Sequence, residues 1–160
     1  MEFCASFPPS CDARANILIL GSMPGEESLR QQQYYAFRHN AFWRIMGTLF
    51  GFDPLLPYPV KLEKLREGRV ALWDVLECCE RPGSLDGSIR NPKPNDIAGL
   101  VAALPAVRKI ICNGSASGRY LGKFFPEIGI PVEVLPSTSP AAARYSFAEK
   151  LARWRAAIDA

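Results

Sequence analysis

Residues 15–43 read ANILILGSMPGEESLRQQQYYAFRHNAFW, and their reading decides the fold. ANILIL at 15–20 is a short apolar run, β-branched at Ile17 and Ile19 and closed by Gly21. That is the pattern of a parallel strand buried on both faces. Gly21 and Gly25 then permit a sharp turn that leaves backbone N–H groups exposed. Charged and amide residues follow, then Tyr34 and Tyr35, a basic pair and Asn40. Ligands of parallel α/β sheets bind at the carboxyl ends of the strands, so this loop is the first place to look for chemistry.

Working outward, three further runs have strand character: RVALWDVL at 69–76, RKIICNG at 108–114 and PVEVLPS at 131–137. Helical stretches separate them. One starts at Asn40, a good N-cap, carries Phe42, Ile45, Met46 and Leu49 on one stripe, and stops at Gly51. A short helix is expected over 61–67 and another over 115–125. Ile97, Leu100, Val101 and Leu104 repeat at helical spacing until Pro105. Ser146 and Glu149 form a capping box for a last helix, whose buried face is expected to hold Phe147, Leu151, Trp154 and Ile158. PLLPYPV at 54–60 has too much proline for either regular state, and 80–94 reads as a long polar loop. Residues 1–14 read as an irregular lead-in. Strands alternating with helices predict an α/β fold: a central four-stranded parallel sheet in a three-layer αβα sandwich. A chain of 160 residues suits one such domain, 1–160.

Composition excludes several classes. The apolar share of 48% and charged share of 22% are ordinary for a soluble protein. No apolar run approaches the roughly 18 residues of a membrane span. The N-terminus has no signal-peptide pattern, so a cytoplasmic protein is expected. Five cysteines, an odd number with no C-x-x-C pair, argue against a disulfide framework and against a metal or iron–sulfur site. The net charge of +3 permits nucleic-acid binding without requiring it.

The strand ends of this fold deliver Gly21–Gly25, Asp74, Asn113–Gly114 and Ser137–Ser139 to one edge, and a pocket is expected there. Read singly, these residues also have plain structural readings. Asn40 and Asn113 suit helix caps, Tyr34 suits the core, Asp74 suits a strand-end cap, and the 137–139 run suits a hydroxyl-rich cap. GSASG at 114–118 is not a nucleophile elbow, because its central position is Ala116. The single histidine, His39, stands in the wrong element order for a Ser-His-Asp hydrolase.

GSMPG at 21–25, QQYYA at 32–36 and NAFW at 40–43 are followed in order by ALWDVLECCERPGSLDGSI at 71–89 and LPSTSPA at 135–141. Together they resemble the hypoxanthine-DNA glycosylase branch of the uracil-DNA glycosylase superfamily. The resemblance implies the same four-stranded αβα sandwich. It implies Asn40 as the catalytic residue, its amide orienting a water and bonding to the departing base. It implies a base pocket of Gly21, Ser22, Met23, Pro24, Gly25, Tyr35, Asp74 and Asn113, with Tyr35 stacking on a flipped base. It implies DNA contacts from the loop of Ser137, Thr138 and Ser139, and Arg38 and Arg144, which flank the expected pocket, are read as further phosphate contacts. Uracil-cleaving relatives often carry Asn or Asp where this chain has Met23, and a thioether cannot activate water, so the chemistry moves towards Asn40. They commonly have asparagine at the position of Asp74. An ionised carboxylate only accepts, which suits the N1–H of hypoxanthine; buried and protonated, it also donates.

Two departures stand out. Phe37, Arg38 and His39 replace the family's His, Pro and Arg, and Ala142 replaces an asparagine. No lysine lies in the matched loops, whereas a Schiff-base lyase needs one. The expected activity is therefore that of a monofunctional glycosylase in base excision repair, acting on deaminated bases in DNA, chiefly hypoxanthine. No cofactor, no membrane association, a monomer and a location at the nucleoid are expected with it. The alternatives are a uracil or mismatch glycosylase and a non-catalytic DNA-binding module.

Overall fold

The computed structural model describes residues 3–160. In chain order the elements are β1 (Phe3–Ala5), β2 (Ile17–Gly21), α1 (Glu26–Gln31), α2 (Phe42–Phe50), α3 (Tyr58–Glu67), β3 (Val70–Asp74), β4 (Leu76–Glu80), β5 (Arg90–Pro94), α4 (Ile97–Ala103), β6 (Lys109–Asn113), α5 (Ser115–Phe124), β7 (Val132–Leu135) and α6 (Phe147–Asp159). The four apolar runs form one parallel sheet in the order β3-β2-β6-β7. β2 is buried along its whole length, as its unbroken apolar run requires. One face of the sheet presents Ile17, Ile19, Leu72 and Ile111 to α2, α3 and α6. The other presents Leu18, Leu20, Ile110 and Cys112 to α4 and α5. Phe42, Ile45 and Met46 on α2 are fully buried. Each contributes roughly 1.5–3 kcal/mol of transfer free energy, which is what holds the helix to the sheet.

The expected architecture is present, with corrections. A second, three-stranded antiparallel sheet, β1-β4-β5, lies beyond the end of β3. The run at 69–76 is not one strand. It leaves the parallel sheet after Asp74, and Val75 N–H bonds to Gly21 O at 2.8 Å before β4 begins. The lead-in over 1–14 is irregular only in part; residues 1–2 lie outside the described residues. Cys4 pairs with Cys79 in register, and Ser10 bridges Leu72, covering the free edge of β3. The presumed loop at 80–94 ends in β5, whose Pro92 and Pro94 are tolerated because β5 is an edge strand. Asn95 ties the two sheets together: its Nδ2 donates to Asp74 O at 2.8 Å and to Leu76 O at 3.1 Å.

Helix boundaries shift for local reasons. α2 begins at Phe42 rather than Asn40, with Ala41 at the N-cap. α3 begins at Tyr58, because a proline in the first turn forfeits no intrahelical bond. The capping box of Ser146 and Glu149 is present on α6. Trp154 is fully buried there, but Phe147 is exposed, lying under the Arg44 guanidinium at 4.7 Å.

Candidate active site

The parallel register sets Gly21 beside Asp74 across β2 and β3. A Cβ at Gly21 would lie 2.3 Å from Asp74 Oδ1 and 3.1 Å from the Tyr35 hydroxyl, so only glycine lets the carboxyl and the phenol close over the strand end. Asp74 is 3% exposed. Burial pushes its pKa up to about 7, the Asp86 carboxylate adds to the rise, and Arg81 opposes it. Both the neutral and the ionised acid are therefore populated near neutral pH.

Among the described residues, the buried side-chain polar atoms without a hydrogen bond are the Tyr35 hydroxyl, Asp74 Oδ2, and Nε and Nη1 of Arg81. All belong to this one corner. An unsatisfied buried group costs about 1–3 kcal/mol, and folded proteins leave few of them. Their concentration here marks a place where the fold accepts a cost in order to hold polar atoms ready.

Tyr35 sits in the left-handed region at φ 55°, an uncommon conformation for a bulky residue. Its ring stacks on Phe42 with centroids 4.0 Å apart and planes at 18°. Burial and the nearby Asp74 raise the phenol's pKa, so the hydroxyl is a neutral donor at ordinary pH. Tyr34 has the structural role. Its hydroxyl donates to Pro8 O at 2.8 Å, and its carbonyl accepts from Trp43 Nε1 at 2.9 Å.

Asn40 is half-buried one residue before the helix cap. Its Oδ1 accepts from Phe42 N–H at 2.9 Å, and its own N–H donates to Phe37 O. The cap fixes the side chain, and no partner holds Nδ2 among the described residues. The next residue, Ala41, donates its N–H to Thr138 O at 2.9 Å, which joins the asparagine motif to the 135–141 loop.

That loop is anchored from below. Asn113 uses both ends of its amide on Thr138: Nδ2 donates to Oγ1 at 3.0 Å, and Oδ1 accepts from the backbone N–H at 2.9 Å. The amide expected in the base pocket thus ties β6 to the loop. Thr138 is buried, while Ser137 and Ser139 are half-buried and their hydroxyls accept from Ser139 N–H and Ala141 N–H. Two residues of α6 complete the anchor: Lys150 Nζ donates to Ser139 O at 3.1 Å and Trp154 Nε1 to Pro136 O at 3.3 Å. Arg38 and Arg144 are exposed. Arg38 donates to His39 Nε2 at 3.2 Å, and Arg144 lies 5.5 Å from the Tyr145 ring.

The glycine loop is also held from behind. Met23 packs into the core with Leu18 and Leu20, which is its packing role. Ser22 Oγ donates to Asp86 Oδ1 at 2.7 Å, Arg81 Nη2 donates to Pro24 O, and Glu26 N–H donates to Ser84 Oγ at 2.8 Å. Arg81, Ser84, Asp86, Asn95 and Lys150 were not singled out by the sequence. Arg81, Ser84 and Asp86 lie inside the matched 71–89 segment, and that is the only signal that pointed near them. Concavities of about 620 Å³, lined by Cys4, Glu26, Arg30 and Gly83 among others, and of about 320 Å³, beside Tyr34 and Tyr58, flank this region. Neither is lined by Asn40, Tyr35 or Asp74.

The family model described as Uracil DNA glycosylase superfamily matches residues 8–159. The chain belongs to the uracil DNA glycosylase superfamily. It is 40% identical over 141 residues to a hypoxanthine DNA glycosylase of Methanosarcina acetivorans, covering 88% of this chain and 89% of that one. It is 35% identical over 153 residues to a hypoxanthine DNA glycosylase of Methanosarcina barkeri, covering 95% and 96%. A solution NMR structure of a Methanosarcina acetivorans protein, named provisionally as a uracil DNA glycosylase, superposes with a TM-score of 0.84 at 36% identity, covering 99% of this chain and 100% of that one. Within the superfamily fold, the glycine loop, the Asn40 motif and the serine–proline loop are the parts gathered at the carboxyl edge of the parallel sheet.

Proposed function

We propose that this chain is a monofunctional DNA glycosylase that flips a deaminated base, chiefly hypoxanthine, out of DNA and hydrolyses its N-glycosidic bond. The observation that carries the reading is the closed pair of unsatisfied groups, Asp74 Oδ2 and the Tyr35 hydroxyl, over Gly21. The two relatives named as hypoxanthine DNA glycosylases support the choice of base.

Hypoxanthine presents N1–H beside the O6 carbonyl. A neutral Asp74 meets both, one oxygen accepting from N1–H and the hydroxyl donating to O6. The donated bond strengthens as negative charge builds on the departing base, so it favours the transition state over the ground state. Tyr35, backed by Phe42, is the ring assigned to stack on the flipped base. Asn40 supplies the amide that orients water at the sugar. In the step, the water oxygen bonds to C1′ while the C1′–N9 bond breaks. Its electron pair leaves with the base, the proton from water ends on the base, and an abasic sugar remains. The barrier passes through an oxocarbenium-like sugar, by analogy with glycoside hydrolysis. Arg38, Arg144 and the Ser137–Ser139 hydroxyls are assigned to the phosphates flanking the gap. Asp74 is buried while Tyr35 and Asn40 are half-buried, so a base that reaches the carboxyl must displace part of the Tyr35 segment or the glycine loop.

The test is a set of duplex oligonucleotides carrying hypoxanthine, xanthine or uracil, incubated with the protein and then cleaved with alkali. Strand scission is expected at hypoxanthine and to a smaller extent at uracil. Scission at uracil alone would replace this reading with that of a uracil glycosylase, and none at any base would leave a DNA-binding module. Borohydride should trap no protein–DNA adduct. Lys150, although it reaches the serine–proline loop, is buried with its ammonium on Ser139 O.

A further inference from the structure

The segment after β4 grips the glycine loop at three points. Asp86 holds Ser22, Arg81 holds the Pro24 carbonyl, and Ser84 holds the Glu26 amide. Arg81 is fully buried, an expensive place for a guanidinium, and its Nη1 stands 3.8 Å from Asp86 Oδ1. Its Nε and Nη1 lack hydrogen bonds, so its side chain is held by the Nη2 bond to Pro24 O and by its charge pairing with Asp86. Ser22 itself neighbours Gly21, against which Asp74 packs. We propose that Arg81 and Asp86 are positioning residues for the Asp74 carboxyl, a charge pair that clamps the loop forming the facing wall of its pocket. The inference rests on the reading that Asp74 contacts the base.

Titratable and charged groups on several elements face Asp74. Asp86 and Arg81 act from the segment after β4, Tyr34 and Tyr35 from the segment after α1, and Tyr58 from α3. Asp86 favours the protonated carboxyl and Arg81 the ionised one. The pair therefore does two things: it fixes the loop in place and it balances the charge on the group that meets the base.

Asp86→Asn separates these effects. Asp86 is exposed, and the amide oxygen can still accept from Ser22, so the fold and the Ser22 bond survive while one charge of the pair is removed. Asp74 would be followed in wild type and variant by carbon-13 NMR of its carboxyl, alongside single-turnover hypoxanthine excision against pH. With Asp86 neutral, burial still raises the Asp74 pKa, but the second carboxylate no longer adds to it and the pull of Arg81 stays. Both midpoints should move down together by roughly half a pH unit or more. An Asp74 midpoint that does not move overturns the inference, even if excision still follows Asp74. An Asp74 midpoint that moves while the excision profile stays put overturns instead the reading that Asp74 contacts the base. Asp86→Ala, which also loses the Ser22 bond, should lower the excision plateau by about threefold to tenfold. An unchanged plateau would remove the clamp.

Discussion

At the scale of single residues, the Asp74 carboxyl carries the clearest physical signature. Its pKa is raised from 3.8 to about 7, mainly by burial. The unfolded chain gives up this proton near pH 4, whereas the folded chain keeps it until about 7. Its contribution to stability is therefore complete in acid and is lost as pH rises through that window. Asp74→Asn removes the penalty. The variant should melt higher than wild type at about pH 8, by the equivalent of a few kcal/mol, and the gap should close towards pH 4. Thermal melts across that range check it. Since the amide reproduces the neutral acid's donor and acceptor, the variant should still excise hypoxanthine, without the fall above about pH 7 expected of wild type. The edge assigned to Asp74, an N–H beside a carbonyl, is common to hypoxanthine and uracil, so in its neutral form this residue alone does not choose between them. Gly21→Ala would place its new methyl 2.3 Å from Asp74 Oδ1. Excision should fall by at least about tenfold, as it would for a misplaced reacting group; an unimpaired Gly21→Ala enzyme would show that the corner is not the base site.

At the scale of elements, what was legible followed the strength of local signals. The apolar runs gave all four parallel strands, and Ser146 with Glu149 fixed the start of α6. The antiparallel sheet was not legible. β1 has three residues, and β5 reads RNPKP, with prolines that propensity rejects and an edge position admits. RVALWDVL hid the switch between sheets, because its apolar run continues through Val75. The site divided in the same way. The glycine turn and Asp74 were placed by strand order, and their convergence is present. Asn113 was expected in the base pocket, and its amide bonds to Thr138, a role that its place after β6 did not reveal. Arg81 was invisible, since an arginine in a polar stretch gives no sign of burial. The same holds for Lys150, which braces the serine–proline loop from a helix distant in sequence. Lys150→Met should keep α6 packed while releasing Ser139 O. DNA affinity is expected to fall about threefold to tenfold, with a smaller change in the single-turnover rate at saturating protein. Equal losses in both would mean that the loop serves chemistry rather than grip.

At the scale of the whole molecule, the formal charge of +3 is small, so DNA binding must depend on where the cations stand. Arg38 and Arg144 flank the asparagine motif and the serine–proline loop, and Arg44 lies over Phe147 where α2 meets α6. The measured affinity for undamaged duplex should decline with salt, and each phosphate contact removed should reduce the slope of log affinity against log salt by about one. Arg38→Ala with Arg144→Ala should therefore flatten that slope by about two. An unaltered slope would move the DNA path to another face.

The central claim is that the amide of Asn40 performs the chemistry on hypoxanthine, beyond its cap on Phe42. Asn40→Ser is the variant to make, because a serine hydroxyl can still accept from the Phe42 N–H whereas the amide is gone. The measurement is the single-turnover rate of hypoxanthine excision at saturating protein, with melting temperature and DNA affinity taken beside it. The account predicts a rate lower by on the order of a hundredfold or more, with both other quantities close to wild type. A serine variant that excises hypoxanthine at the wild-type rate would contradict it, leaving Asn40 as a helix cap alone.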